Sequence, residues 1–300
     1  MRKLLLIEPW HLIVVFTVLL CLVGFVPLHA IEIAPLELHQ SQSSPTDLRI
    51  IGHLQGVAAG ESRWLRWSDL NALPSRTIET TGEFMSGTHT VRIVPLQALL
   101  DRLPLDPTFD TVIAECSDGY TAVYDRPFRQ TWQPFIIVAI NGQGPAAWPL
   151  PGMPQDPGPY IVSVSDAVTP GVSALLDVAH KQPWGTQTLR LVNGEDEFRP
   201  LHAGGLVDPP ADVVRGRTLW INSCHSCHTG PGDVLGGTRS GRPFVLLQTL
   251  ATSSPEYVEA YVRNPKNLRP DARMTPHDHY TAAQIADLLA FLRAAPQIAN

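Results

Sequence analysis

Cys224-His225-Ser226-Cys227-His228 is the stretch of this 300-residue chain whose residue types and spacing most directly imply chemistry. Two thiols three positions apart lie on one face of a helical turn, so each sulfur can add to one of the two vinyl groups on a porphyrin edge. The histidine that follows at once is then fixed beneath the ring, with one nitrogen for iron and the other oriented by an acceptor behind it. The five residues read as attachment and proximal ligand for one covalent haem c.

A cysteine pair of this spacing also serves zinc sites and thiol redox centres. Zinc needs four ligands, yet no second cysteine pair follows, and the later histidines, His277 and His279, stand two apart instead of at finger spacing. A thioredoxin-like centre wants a strand before the pair and a long helix after it, whereas Thr229-Gly230-Pro231-Gly232-Asp233 is a loop. Covalent haem is the reading that uses every residue present.

The elements that must position this motif are helical. Gly216-Arg217-Thr218-Leu219-Trp220 precedes it, and Thr281-Ala282-Ala283-Gln284 is a capping box followed by Ile285, Leu288, Leu289 and Leu292 at helical spacing. Across residues 211–300 the chain resembles the class I cytochromes c, a small all-α family. The resemblance makes Gly216 to Trp220 part of the N-terminal helix and Tyr257 to Arg263 the middle helix, which Asn264-Pro265 would stop because proline lacks a donor and disfavours helix at the residue before it. The resemblance implies that Gly216 and Trp220 meet the C-terminal helix. It also implies that Met274, in Arg273-Met274-Thr275-Pro276, fills the sixth iron position opposite His228, where a soft thioether raises the reduction potential and favours electron transfer. The family usually has Met-Pro directly; here Thr275 intervenes. His277 and His279 are the competing ligands and are expected to cap the last helix or face solvent. The resemblance further implies that the loop Gly241-Arg242-Pro243 offers a carbonyl to the second nitrogen of His228, and Arg239 and Arg242 are expected to meet haem propionates or solvent.

With 44% hydrophobic and 17% charged residues, the chain is long enough for two globular cores. A net charge of −6 without basic runs gives no footprint for nucleic acid. Arg2 and Lys3 precede an apolar run from Leu12 to Leu28, with Ala30 at its close. This is an export signal, or an uncleaved membrane anchor, since about 17 residues is borderline for a bilayer. Haem attachment at such a motif is, by the family resemblance, extracytoplasmic, so both ends of the chain imply a periplasmic or extracytoplasmic location.

Residues 1–30 thus form the signal or anchor, 31–46 a tether around Ser41-Gln42-Ser43-Ser44-Pro45, 47–200 an α+β domain, 201–210 a linker and 211–300 the small all-α domain. Residues 31–210 carry 11 Lys and Arg against 20 Asp and Glu, while 211–300 carry 9 against 7. A mildly basic haem domain can dock on an acidic one, or turn its basic face to a redox partner protein.

Within the first domain, strands are expected at Leu48–Gly52, Ser62–Trp67, Thr77–Thr81, Thr88–Ile93, Thr111–Cys116, Tyr120–Tyr124, Phe135–Ile140 and Tyr160–Val164, with a short helix or turn at Ser68–Pro74 and a helix through Leu96, Leu99, Leu100 and Leu103 closed by Pro104. Mixed strands with short helices imply an α+β fold. Ser68-Asp69-Leu70, Pro95-Leu96, the Asp118-Gly119-Tyr120 hairpin and Asn141-Gly142 before a proline-rich loop resemble the molybdopterin-binding domain of the sulfite oxidase family over residues 47–165. That family binds molybdenum through a cysteine ahead of the Pro-Leu helix. Residues 77–94 contain none, and Phe84, Met85, Ser86, Gly87 and His89 stand there instead. Neither thioether nor hydroxyl replaces a thiolate. The domain therefore reads as a relative without molybdopterin, for docking or ligand binding, and the protein as an electron carrier rather than a catalyst. The other reading is an enzyme, or a subunit of one, in which the first domain feeds electrons to the haem. Cys116 is expected as a core cysteine, Met85 as core filler, His89 on a surface loop, and Trp132, Trp148 and Trp184 around a pocket or the proline-rich loop.

Overall fold

Alternation of apolar residues pairs Leu48–Gly52 (β1) with Ser62–Leu65 (β2) antiparallel, Leu48 opposite Leu65. The computed structural model describes residues 36–81, 85, 87–176, 178–202, 208–233 and 235–296. The signal or anchor, Phe84, Ser86 and much of the linker lie outside the described residues. A short helix, Trp67–Asn71 (α1), leads into Arg76–Thr80 (β3) and His89–Pro95 (β4), followed by Leu96–Leu100 (α2). Leu103 lies beyond the last turn of α2, buried in the core nonetheless.

Thr111–Cys116 (β5) and Thr121–Tyr124 (β6) form a hairpin whose turn carries Asp118-Gly119, with Gly119 at φ 82°. Arg126–Trp132 (α3) is capped by the Asp125 carboxylate and precedes Phe135–Ile140 (β7), apolar throughout and buried throughout. Ile161–Ser163 (β8), a turn of helix at Val172–Leu175 (α4), Thr186–Val192 (β9) and Gly194–Glu197 (α5) complete this part.

The strands make two sheets. One is mixed, in the order β2-β1-β9-β5-β6, with β9 parallel to β1 and antiparallel to β5; the other is antiparallel, in the order β3-β4-β7-β8. The α+β reading holds, with one central strand that it lacked. β9 carries its own signal, Thr186-Gln187-Thr188-Leu189-Arg190-Leu191, with Leu189 and Leu191 fully buried.

Two further expectations change. Residues 36–46 are not a loose tether: Leu36 and Leu38 pack against the main core, the Leu36 N–H donates to the Arg102 carbonyl at 2.8 Å, and His39 bridges to Trp64. Alternate leucines bind the segment although the serines after it bury little. His89 opens β4 instead of lying on a loop, its Nδ1 3.0 Å from Asn141 Nδ2.

The helical part comprises Ala211–Asn222 (α6), Phe244–Ser253 (α7), Pro255–Arg263 (α8), Pro265–Leu268 (α9) and Ala282–Ala294 (α10). The capping box forms as its residues imply, Thr281 Oγ1 accepting from Gln284 N–H and Gln284 Oε1 from Thr281 N–H. Pro35–Asn300 is one compact unit, and one apolar cluster runs through both halves of it: Ile113, Val123, Val192, Phe198 and Leu201 pack with Trp220, Phe244, Leu288 and Phe291. Among the described residues no helix is long and apolar enough to cross a membrane.

Candidate haem site

The site is built on the crossing of α6 and α10. A β-carbon on Gly216 would lie 1.9 Å from the Asp287 carbonyl oxygen, so only glycine lets these backbones meet. Arg215 clamps the same place from outside, its Nε and Nη2 each donating to an Asp287 carboxylate oxygen at 2.7 Å. One turn on, buried Trp220 packs edge-on against Phe244, with ring centroids at 5.2 Å, and at a tilt against Phe291 at 5.9 Å. This aromatic group is also the floor under His228, whose ring centre is 5.9 Å from that of Trp220.

α6 ends at Ser223 and the chain tightens into a 3-10 turn at Cys224–Ser226. The His228 N–H donates to the Cys224 carbonyl at 2.9 Å, closing the motif into one turn. Gly237 N–H and Ser240 N–H donate to the carbonyls of His225 and Cys227, both at 2.8 Å. That loop comes so close that a β-carbon on Gly237 would be 2.0 Å from the Ser226 carbonyl oxygen. Cys224 and Cys227 are half-buried and not joined by a disulfide. Cys224 packs against the cluster of Trp220 and Phe291, whereas Cys227 packs against the core of the sheets. Burial pushes the Cys227 thiol up.

Burial holds the His228 imidazole well below its ordinary value, at about 4, helped by His277 and Arg242 nearby. The ring is therefore neutral at physiological pH, as a metal ligand must be. Its Nδ1 is buried with no hydrogen-bond partner, so the expected carbonyl from residues 241–243 is not supplied. The Pro243 carbonyl is engaged elsewhere, accepting from Leu246 N–H at 3.0 Å in the first turn of α7.

Met274 is half-buried against the Trp220 cluster. His277, expected at a cap or in solvent, is 3% exposed, with its ring stacked between His180 and Tyr280. Its neighbour His279 is half-exposed. Arg239 turns to the sheets, 3.4 Å from the Asp118 carboxylate and over the Tyr120 ring. Further ties bind the motif and its flanks to the same hairpin: Thr121 Oγ1 donates to the His225 carbonyl at 3.2 Å and Thr238 N–H to the Gly119 carbonyl at 2.8 Å, while Lys181 Nζ, from the 3-10 turn at Val178–Lys181, donates both to the Val123 carbonyl at 2.6 Å and to Asn222 Oδ1 at 3.0 Å. His225 itself is 1% exposed, edge-on to Phe198, and neither ring nitrogen has a partner.

The cytochrome c family model matches residues 213–296. These residues are a cytochrome c domain. The helix pair, its glycine crossing and the closed CxxCH turn are the frame of that domain, and a cytochrome c domain carries covalent haem c. No curated protein matches the chain. The donor set suits the group: two thiols on one turn outside any disulfide, a neutral imidazole beside them, and a thioether on the same apolar cluster.

Among the described residues the remaining cysteine is Cys116, buried with its sulfur 3.8 Å from Thr186 Oγ1; burial pushes its thiol up to about 12, so it is a packing residue. Met85 is core filler, 5% exposed beside Trp148 and Trp184. Sequence reasoning missed the burial of His225 and His277. Tyr280 covers one side of His277 locally, but His180 and Phe198, which complete the covering of His277 and His225, come from far along the chain and leave no local mark.

Proposed function

We propose that this chain is an exported mono-haem cytochrome that carries single electrons between redox partner proteins. Cys224 and Cys227 hold the porphyrin by thioether bonds, and His228 and Met274 provide the axial ligands. The haem iron, when bound, takes up and releases one electron. Trp220, Phe244 and Phe291 exclude water beneath His228, and the buried imidazole stays unprotonated and available. The observation that carries this reading is the neutral, buried His228 closed onto Cys224 in one turn within a cytochrome c domain.

The sheets are read as a sulfite oxidase-like body without molybdopterin, because residues 77–94 lack a cysteine to take the metal. Its role is docking or ligand binding, and the segment 1–30 directs or anchors the chain outside the cytoplasm. A pyridine haemochrome spectrum of the purified protein is the test. It is expected to show one covalent c-type haem per chain, and a pellet bleached by acidified organic solvent would end the reading. Met274→Ala is expected to abolish the long-wavelength thioether-to-iron band of the ferric protein and lower its reduction potential. Stoichiometric molybdenum in protein from a molybdenum-competent host would overturn the silent role of the sheets.

A further inference from the structure

Three residues give the sheet-bearing body a task at the haem. Tyr120 follows the turn of the β5–β6 hairpin, and its hydroxyl donates to the Ala179 carbonyl at 3.3 Å while lying 3.4 Å from Nδ1 of His180. His180, 7% exposed, stacks on His277 with ring centres 5.0 Å apart and planes at 19°. The other face of the cluster is Tyr280, stacked on His277 at 4.8 Å and 21°. His277 lies three residues after Met274, in the segment between α9 and α10 that has neither helix nor strand. Besides the rings, the far end of the segment is held by bonds that include the His277 N–H to the Val262 carbonyl at 2.9 Å and Arg263 Nη1 to the Tyr280 carbonyl at 2.6 Å.

We propose that Tyr120 and His180 are positioning residues for the distal haem loop: by clamping His277 they hold the Met274 thioether opposite His228. The inference rests on Met274 as axial ligand. A neutral thioether is a modest donor, and a loop without regular structure opens at low cost, so the bound fraction of methionine depends on what fixes the loop. The clamp comes from the sheet-bearing body, which is itself fastened to the haem domain at Thr238–Gly119 and Arg239–Asp118. Removing the His180 ring therefore releases the loop without undoing the docking.

The experiment uses the full-length holoprotein and a pair of variants of similar size, His180→Phe with a ring to stack and His180→Leu without one. The readouts are the thioether-to-iron band and titration of the ferric protein with imidazole, which takes the sixth position only where methionine leaves it. His180→Phe keeps the stack but loses the contact with the Tyr120 hydroxyl, so it is expected to stay within about twofold of the parent, whereas His180→Leu is expected to bind imidazole about tenfold more tightly, the upper range for a stacked ring pair. Unchanged affinity in His180→Leu, or equal shifts in both variants, overturns the clamp. If His180→Leu does not fold, Tyr120→Phe removes only the hydroxyl beside His180 and must shift the affinity in the same direction by a smaller factor; no shift overturns the clamp. A parent protein with covalent haem but no thioether band removes the Met274 assignment and the clamp together, whereas a parent with the band and an indifferent His180→Leu removes the clamp alone.

Discussion

His225 occupies a variable position of the motif, yet it is among the most buried polar residues in the protein. Burial lowers its imidazole to about 3, with Arg190 and Lys181 adding to the effect. The unfolded chain protonates near the ordinary value of about 6.5 while the folded one resists. Folding stability is therefore fully present above about pH 6.5 and falls as the pH drops from there toward about 3, because the unfolded state binds the extra proton. His225→Leu removes that proton-binding difference and two unsatisfied ring nitrogens. It is expected to be near-neutral at pH 7 and to flatten the acid limb by up to about 1.4 kcal/mol per pH unit. Denaturant midpoints at neutral and mildly acid pH check this; an acid limb as steep as in the parent would refute it. At this scale the CxxCH residues were legible because covalent attachment fixes residue type and spacing together. The environment of His225 was not, since Phe198, Thr121 and Lys181 reach it from far along the chain.

Among the elements, the α6–α10 crossing has the least slack. Gly216 sits at the contact with the Asp287 carbonyl 1.9 Å from where a methyl would go and Phe291 Cβ at 2.8 Å. Neither neighbour is a flexible tip, so Gly216→Ala must push the helices apart and loosen Trp220 beneath His228. A loss of roughly 2–3 kcal/mol is expected, well beyond the helix propensity that alanine gains. Thermal denaturation followed at the Soret band measures it, and a stabilised variant would show that the helices do not cross this closely. Strands β5 and β7 and the capping box were readable because apolar runs and cap residues encode local structure directly. The partnership of β9 with β1 and β5 was less so. Its alternation is visible, but its place between two strands from the first half of the domain is a matter of long-range pairing.

For the whole molecule, the shared apolar cluster decides how it unfolds. Ile113 and Val123, on β5 and β6, are buried with Trp220, Phe244 and Phe291 of the cytochrome c domain, and Leu201 is fully buried on the way between them. Two bodies joined only by a linker would melt separately, whereas a core that belongs to both couples their unfolding. The composition showed enough apolar residues for two cores; it could not show that one would be held in common, because strand residues facing the second body look like any buried strand. Ile113→Ala tests the coupling. It lies in the sheet, yet its side chain is deleted from the cluster that backs the haem helices, and the cavity is expected to cost roughly 2–5 kcal/mol. That loss should appear equally in Soret absorbance, which follows the cytochrome c domain, and in the sheet component of the amide I infrared band, with the two transitions coincident before and after the substitution. A sheet transition that moves while the Soret transition stays fixed would mean that the cluster does not transmit stability between the bodies.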